Sequence, residues 1–194
     1  MKVAVTGTPG TGKTTAVERV EANLDAMDLN TVDFDAVDLN TVDFDVVHLN
    51  DVIREEGLYE GRDEARGSLV ADLDAVGEYL EQYESCLVES HLAHHFDADR
   101  VVVLRCHPDE LRRRLHERDE PDAKIEENAE SEALDVVLAE TVDRHGMDRV
   151  YELDTTDQSP EEVAAEIGSV LADERGPRAG IVDFTDAITF DRKP

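Results

Sequence analysis

The residues best suited to chemistry in this chain stand near its start, in the stretch GTPGTGKT from Gly7 to Thr14. The stretch fits the spacing G-x-x-x-x-G-K-[ST], in which glycines let the backbone aim its N–H groups at phosphate oxygens. Lys13 is placed to reach the β- and γ-phosphates of a nucleotide, and the Thr14 hydroxyl is placed to ligate Mg²⁺. The predicted phosphate-binding residues are Gly10, Thr11, Gly12, Lys13, Thr14 and Thr15.

Two elements must hold this loop, one before it and one after it. Residues 2–6 are of strand-forming type, and KTTAVERVEANL, which begins at Lys13, has the apolar spacing of an amphipathic helix. A helix that starts there presents its positive end to a phosphate group. A chance match in an ordinary glycine turn would lack this frame, so the sequence predicts a nucleoside triphosphate site.

The rest of the chain alternates between apolar strand-like runs and helical stretches. The strand-like runs lie at residues 86–88, 101–104 and 150–153, and the last helix is predicted at 159–171. This alternation predicts an α/β fold with a doubly wound parallel sheet. The sequence contains no N-K-x-D motif for reading guanine, which counts against a GTPase.

Acidic residues dominate the composition, with 48 Asp and Glu against 19 Lys and Arg and a formal net charge of −29. Such a charge disfavours a compact fold unless counterions screen it, so the composition indicates adaptation to high salt. Broad nonspecific binding to nucleic acid is not expected, because it needs clustered basic residues. We expect no signal peptide and no membrane span. Cys86 and Cys106, in apolar surroundings, are predicted to be reduced core residues of a cytoplasmic protein.

Histidines cluster in the stretch SHLAHHF, which contains His91, His94 and His95. A zinc site would need three or four converging ligands, and Cys106 and His107 could lie nearby, but no C-x-x-C spacing supports one. His94 and His95 are therefore expected on the surface or in a loop. His91 is the better candidate for contact with a phosphate or an attacking water, because imidazole changes protonation near neutral pH.

Beyond the phosphate loop, an ordered set of short segments matches a known family. The segments are DVIREEGLY (51–59), VESH (88–91), VLR (103–105), RRLHER (113–118) and KIEEN (124–128). In them the chain resembles the small atypical adenylate kinases of the coilin-interacting nuclear ATPase type, which occur in archaea and eukaryotes. The resemblance spans about residues 1–174 and implies a P-loop nucleoside monophosphate kinase-like domain with small NMP-binding and lid segments.

The resemblance also implies roles for two mobile segments. An NMP-binding segment at about 48–71 would use Arg54 to grip the phosphate of the acceptor nucleotide. A lid at about 117–127 would use Arg118 to clamp the ATP phosphates. Arginine suits both tasks because it stays charged and binds phosphate through two N–H groups. Arg105, which follows a strand, could face either the nucleotide or the core.

Glu89 and His91 match an Asp-x-His pair that the family carries at the end of its third strand, with Glu here in place of Asp. The resemblance thus implies that Thr14 and Glu89 hold Mg²⁺. The implied catalytic residues are Lys13, Glu89, His91 and Arg118. The basic run 112–114 is more typical of a helix face paired with acidic neighbours.

The activity expected from this resemblance is Mg²⁺-dependent transfer of the γ-phosphate of ATP to AMP, together with ATPase activity. Phosphoryl transfer needs positioning and charge neutralisation, which a phosphate loop, Mg²⁺ and arginines supply. The resemblance further implies a role in late small-ribosomal-subunit maturation, with transient binding to a platform ribosomal protein. Two alternatives stay open, a pure ATPase assembly factor and a P-loop kinase of another small metabolite.

A repeat interrupts the chain between the first helix and the acceptor segment. Residues 28–37 and 38–47 differ only at Ala36 against Val46. Three near-copies of one strand result: LDAMDLN (24–30), FDAVDLN (34–40) and FDVVHLN (44–50). Because only the last copy adjoins DVIREEG, we predict that it enters the sheet. About residues 28–47 are then a tandem-duplicated insertion, which a chain tolerates at low entropic cost.

The chain after residue 174 is a tail, RGPRAGIVDFTDAITFDRKP (175–194), punctuated by glycine and proline. Its spaced apolar residues are Ile181, Val182, Phe184, Ile188 and Phe190. Such a tail either docks on the domain or on a partner, or forms a disordered end, and the sequence leaves both interpretations open.

Overall fold

The computed structural model describes residues 1–29, 44–63 and 67–187. Its strands are β1 (Lys2–Thr6), β2 (Asp45–His48), β3 (Tyr59–Asp63), β4 (Ser68–Ala71), β5 (Cys86–Glu89), β6 (Arg100–Arg105) and β7 (Val150–Asp154). Five of them form the central sheet in the order β2-β5-β1-β6-β7, and every neighbouring pair is parallel. Parallel strands need crossover connections, which the helices between them provide.

Helices cover both faces of this sheet. They are α1 (Lys13–Leu29), α2 (Leu49–Glu55), α3 (Leu73–Leu80), α4 (Pro108–His116), α5 (Asp122–Ala133), α6 (Val136–His145) and α7 (Pro160–Leu171), with a short 3₁₀ helix at Ala93–His95. Successive side chains of a strand point to opposite faces. Val3 of β1 shares one core cluster with Val17 of α1 and Ile167 of α7, whereas Ala4 shares another with Val76 of α3. The predicted doubly wound α/β fold is confirmed.

The segments predicted to bind the acceptor and to form the lid have regular structure. Residues 48–71 contain α2 and an antiparallel hairpin of β3 and β4, with residues 64–66 outside the description. The predicted lid, 117–127, is a turn followed by the first half of α5. Ile125 of α5 packs in a small cluster with Leu111 and Leu115 of α4. The substrate roles of both segments remain predictions.

The repeat enters the sheet through its third copy, as predicted. Strand β2 pairs with β5 at the edge of the sheet, so that Asp45 stands opposite Cys86 and His48 opposite Glu89. The first near-copy is not a strand, because α1 continues to Leu29. The central part of the proposed insertion, residues 30–43, lies outside the described residues.

The first part of the tail docks on the domain at β7. The Arg178 N–H donates to the Val150 carbonyl and the Glu152 N–H donates to the Arg178 carbonyl, both at 2.8 Å. Further on, the Phe184 side chain is buried and its ring stands 5.3 Å from the ring of His107. The docking interpretation therefore holds for this part of the tail. Residues 188–194 lie outside the described residues.

A buried ion network joins β6, α5 and β7. The Arg105 guanidinium, at the end of β6, donates through Nε to Glu132 at 2.7 Å and through Nη1 to Glu152 at 2.6 Å. It also pairs with Asp135, just after α5. The carboxylate of Glu132 accepts a further bond from the Cys106 N–H at 3.0 Å. Of the two positions left open for Arg105, the structure places it in the core.

Both cysteines are buried free thiols, as predicted. Burial raises the pKa of the Cys106 thiol to about 12, which keeps the sulfur protonated at neutral pH and unsuited to metal binding. Within the described ranges, no helix is both long enough and apolar enough to cross a lipid bilayer.

Replacing Arg105 by Met should lower the free energy of unfolding by about 3–5 kcal/mol, because Glu132 and Glu152 would remain buried without their cation. Equilibrium denaturation at a fixed, high salt concentration measures this loss. Arg112→Ala is the matched control, since Arg112 makes partly exposed surface pairs with Asp109 and Glu126 that are worth about 0–1 kcal/mol. Equal losses in the two variants would contradict the assignment of Arg105 to a buried network.

Candidate phosphate-binding site

The phosphate loop connects β1 to α1, and its glycines are required by its backbone. Gly7, Gly10 and Gly12 have φ values of 139°, 97° and 93°. A Cβ on Gly7 would stand 2.3 Å from the carbonyl oxygen of Leu104, so β6 leaves no room for a side chain there. The loop can therefore lie against the sheet with its N–H groups free to turn toward an anion.

Lys13 is the first residue of α1, its side chain reaches back into the loop, and it is 7% exposed. Its ammonium donates to the carbonyl oxygens of Gly7 at 2.9 Å and Thr8 at 3.1 Å. Burial lowers the pKa of Lys13 to about 8, with a smaller contribution from Arg118 in the same direction, while Glu89 and Glu132 act in the opposite direction. At neutral pH the side chain is still largely charged, and a phosphate could replace the two carbonyls as its partner.

The Thr14 hydroxyl meets a carboxylate at the end of β5. It donates to Glu89 Oε1 at 3.0 Å, and Glu89 is only 2% exposed. A hydroxyl and a carboxylate oxygen side by side match the donor preference of Mg²⁺, which takes a few protein oxygens and keeps several waters. The two residues predicted as metal ligands are therefore brought together, and they would hold Mg²⁺ here.

His48 also contacts Glu89, and the sequence analysis did not single it out. Its Nδ1 lies 3.3 Å from Glu89 Oε2, because β2 and β5 place the two residues opposite each other. A signal was present in the repeat, where the third copy carries His48 at the position that the other two copies fill with Asp28 and Asp38. Only the copy in the sheet has a side chain there that can donate a hydrogen bond to a carboxylate.

A cavity of about 470 Å³ opens beside the phosphate loop. The loop contributes Gly10, Thr11, Gly12 and Thr15, and the opposite wall carries Arg113, Arg114 and Arg118. Glu110 lines the same cavity and pairs with Arg113 and Arg114, so a polyanion would take the place of this carboxylate as the partner of their guanidinium groups. Arg118 lines this cavity, and its role as a phosphate clamp remains a prediction.

Arg114 is a second residue that the sequence did not single out, because its run was interpreted as a paired helix face. That interpretation holds for Arg112 and Arg113, whose exposed pairs include Glu126 and Glu110 respectively. Arg114 also pairs with Glu110, at 2.7 Å, but in addition turns inward and donates to the carbonyls of Thr155 at 2.9 Å and Thr156 at 3.2 Å. These bonds hold its guanidinium at the wall of the cavity.

The loop is tied to the rest of the protein from two sides. Thr8 donates its hydroxyl to Glu132 at the end of α5, so the Arg105 network reaches the loop directly. Thr155, after β7, donates its hydroxyl to the Thr11 carbonyl at 2.9 Å. Both contacts join residues more than a hundred positions apart, and no local motif signals them.

His91 and Arg54 are less constrained than the other predicted residues. His91 follows β5 and is exposed at the surface. Partial burial of its ring by neighbouring protein atoms lowers its pKa to about 4, and the positive charge of Lys13 is the second cause of this shift. It is therefore neutral at pH 7. Arg54, on α2, is exposed and pairs with Asp51 at 2.7 Å. The roles of His91 at a phosphate or water and of Arg54 at an acceptor remain predictions.

Of the two positions expected for His94, on the surface or in a loop, the surface position is wrong, because the residue is buried in the connection between β5 and β6. Its side chain is 3% exposed, because the 3₁₀ helix turns the ring inward to contact Thr6 Oγ1 at 2.9 Å. His95 is half-buried beside it, with 4.2 Å between the ring centroids.

Replacing His48 by Asp should lower the free energy of unfolding by about 1–3 kcal/mol, since it sets a second carboxylate against the buried Glu89. His48→Asn is the matched control, because its amide still offers a donor to Glu89 and adds no charge. Thermal and denaturant unfolding of both variants measure the difference. A His48→Asp protein as stable as the Asn variant would show that this contact does not support Glu89.

Residues 3–135 match the AAA_18 family, described as an AAA domain. Over 188 residues the chain is 58% identical to a protein of Natronomonas pharaonis named "Putative adenylate kinase", covering 97% of this chain and 100% of that protein. A protein of the same name from Methanothermobacter thermautotrophicus is 40% identical over 186 residues, covering 94% of this chain and 96% of its own.

Among solved structures, shikimate kinase from Bacteroides thetaiotaomicron is similar to this chain with a TM-score of 0.54 at 17% identity, covering 89% of this chain and 98% of that one. Shikimate kinase from Acinetobacter baumannii, in complex with shikimate, gives a TM-score of 0.57 at 13% identity and covers 90% and 94%. At such identities the likeness concerns the fold. The chain therefore belongs to the AAA_18 family of AAA domains. It belongs to the same family as the two archaeal proteins named "Putative adenylate kinase".

Proposed function

We propose that this protein is an adenylate kinase, which transfers the γ-phosphate of ATP to AMP with the aid of Mg²⁺. The observation that carries the proposal is the convergence of Lys13, the Thr14–Glu89 pair and two arginines, Arg114 and Arg118, on one phosphate loop. The kinase names of relatives at 58% and 40% identity support it.

The donor nucleotide would bind with its phosphates in the loop between β1 and α1. Lys13 would exchange the carbonyls of Gly7 and Thr8 for phosphate oxygens, while Thr14 and Glu89 hold the metal. Mg²⁺ held by Thr14 and Glu89 would neutralise part of the phosphate charge. The adenine and ribose would extend into the cavity beside the loop.

In the transfer itself, a phosphate oxygen of AMP forms a bond to the γ-phosphorus as the bond from that phosphorus to the β–γ bridging oxygen breaks. Two molecules of ADP result, and no proton has to move when the attacking phosphate is already ionised. Arg114 and Arg118, which line the cavity beside the phosphate loop, would supply positive charge to the phosphates, because a cation there accelerates phosphoryl transfer. Arg54 is the candidate for holding the AMP phosphate.

A second activity, hydrolysis of ATP at the same site, would use His91. Water must lose a proton as it attacks, and His91, two residues after Glu89 at the end of β5, is the candidate to accept a hydrogen bond from it. A maturation role for this ATPase in the small ribosomal subunit would rest on the net charge of −29, which suits a basic ribosomal protein.

The direct test is ADP formation from ATP and Mg²⁺ in high salt, with and without AMP. We expect AMP to raise the rate and to be consumed in step with ATP. Lys13→Ala should lower the AMP-dependent rate by about 10²–10³-fold, and Glu89→Gln should raise the Mg²⁺ concentration that is needed. An AMP-independent rate of equal size would favour the pure ATPase. A rate that rises only with another small acceptor would favour a different metabolite kinase.

The role of Arg114 can be separated from that of the neighbouring basic run. Arg114→Ala should lower kcat/KM for ATP by roughly 10- to 100-fold, because it removes a charged donor worth about 1.5–3 kcal/mol to the phosphates. Arg112→Ala, on the same helix but outside the cavity wall, should stay within about twofold. Steady-state kinetics with AMP held saturating measure both. Equal effects in the two variants would remove Arg114 from the site.

A further inference from the structure

Three side chains with metal-binding atoms meet between the 3₁₀ helix and α6, apart from the Mg²⁺ site of Thr14 and Glu89. They are His94, His95 and Glu140, and one ligand atom from each lies within 4.8 Å of the others. His94 is buried, His95 half-buried and Glu140 has 56% of its side chain exposed. The cluster is thus buried at His94 and open to solvent at Glu140.

The spacing of the cluster suits a small dication. In a tetrahedral site with bonds of about 2.0–2.1 Å, neighbouring ligand atoms stand roughly 3.3 Å apart. His94 Nε2 and Glu140 Oε2 are 3.2 Å apart. The ring of His95 lies beside that of His94, with the two centroids 4.2 Å apart, so a small side-chain movement completes three ligands. A water would fill the fourth position.

Thr6 supplies the outer contact that a ligating histidine needs. Its hydroxyl oxygen lies 2.9 Å from His94 Nδ1 and 3.4 Å from the His91 carbonyl oxygen. When the hydroxyl proton points to that carbonyl, the oxygen accepts the Nδ1 proton of His94. Nε2 then presents its lone pair toward Glu140 and can ligate an ion, whereas in the other tautomer Nε2–H donates to the Glu140 carboxylate.

The cluster is built on elements that cannot separate easily. Glu140 and His145 both belong to α6, and His145 Nε2 lies 2.8 Å from the carbonyl oxygen of His94. α6 also packs on the sheet through Leu138, in the same core cluster as Ala93 of the 3₁₀ helix. The ligands are therefore preorganised in the absence of an ion, which lowers the cost of binding one.

We propose that His94, His95 and Glu140 form a binding site for one transition-metal dication of the zinc class. Two imidazoles and one carboxylate are ligands that Zn²⁺ and Co²⁺ accept, whereas Mg²⁺ selects oxygen alone. The site is independent of the proposed kinase activity and needs no nucleotide. Because Thr6 directly precedes Gly7, an ion bound here also fixes the backbone that enters the phosphate loop.

The test uses the full-length protein without a histidine tag, with Co²⁺ as a coloured probe and excess Mg²⁺ to occupy oxygen sites. We expect one Co²⁺ per chain, the intense visible absorption of four-coordinate Co²⁺, and its loss when Zn²⁺ is added. His95→Ala and Glu140→Gln should each weaken Co²⁺ binding by about tenfold or more. These two ligands are chosen because they are less buried than His94, so their replacement should leave the fold intact.

Two controls separate this site from other ligands of the chain. His116→Ala removes an exposed histidine of α4, and Glu89→Gln alters the proposed Mg²⁺ site; both should bind Co²⁺ as the unaltered protein does. Zn²⁺ should raise the unfolding temperature of the unaltered protein and of both controls, but not of His95→Ala or Glu140→Gln. Absence of stoichiometric Co²⁺ binding, or equal binding by all variants, would overturn the proposal.

Discussion

Buried Arg105 is the charge on which both the phosphate loop and the docked tail depend. It binds Glu132, whose second oxygen accepts the hydroxyl of Thr8 in the loop. It also binds Glu152, whose second oxygen accepts the Ile181 N–H of the tail. One cation thus connects four segments that are distant in sequence. Because each carboxylate is shared between the cation and another donor, the network is fully satisfied only when all four segments are in place.

The charge of the whole protein makes a phosphate site difficult to build. A chain with a formal net charge of −29 repels a polyanion, yet three arginines gather on one cavity wall. Two of those arginines, Arg113 and Arg114, already pair with Glu110, and their bonds lower the pKa of Glu110 to about 2. An incoming phosphate must therefore compete with resident carboxylates. Salt favours phosphate binding in two ways. It screens the repulsion between the phosphate and the acidic protein, and it weakens the exposed ion pairs between arginines and carboxylates.

How much of the fold and of the candidate site can be predicted depends on how far apart in the sequence the contacting residues lie. The phosphate loop, α1 and the parallel sheet follow from local patterns, Thr14 follows from the loop motif, and Glu89 follows from the family resemblance. Long-range contacts were not accessible. Arg114 has the neighbours of an ordinary helix face, and its inward turn depends on Thr155, 41 positions away. His94 was placed wrongly because no spacing rule links a 3₁₀ helix to β1.

The third repeat copy, seated in β2, has a consequence for how this segment can change. The repeat unit has ten residues, an even number, so each copy would present the same side chains to the same faces of the sheet. Exchange between the second and third copies would therefore change two side chains only, Val46 to Ala and His48 to Asp. Whole units can be gained or lost between α1 and β2 while the edge strand stays the same. Chain length here can vary without disturbing what Glu89 meets.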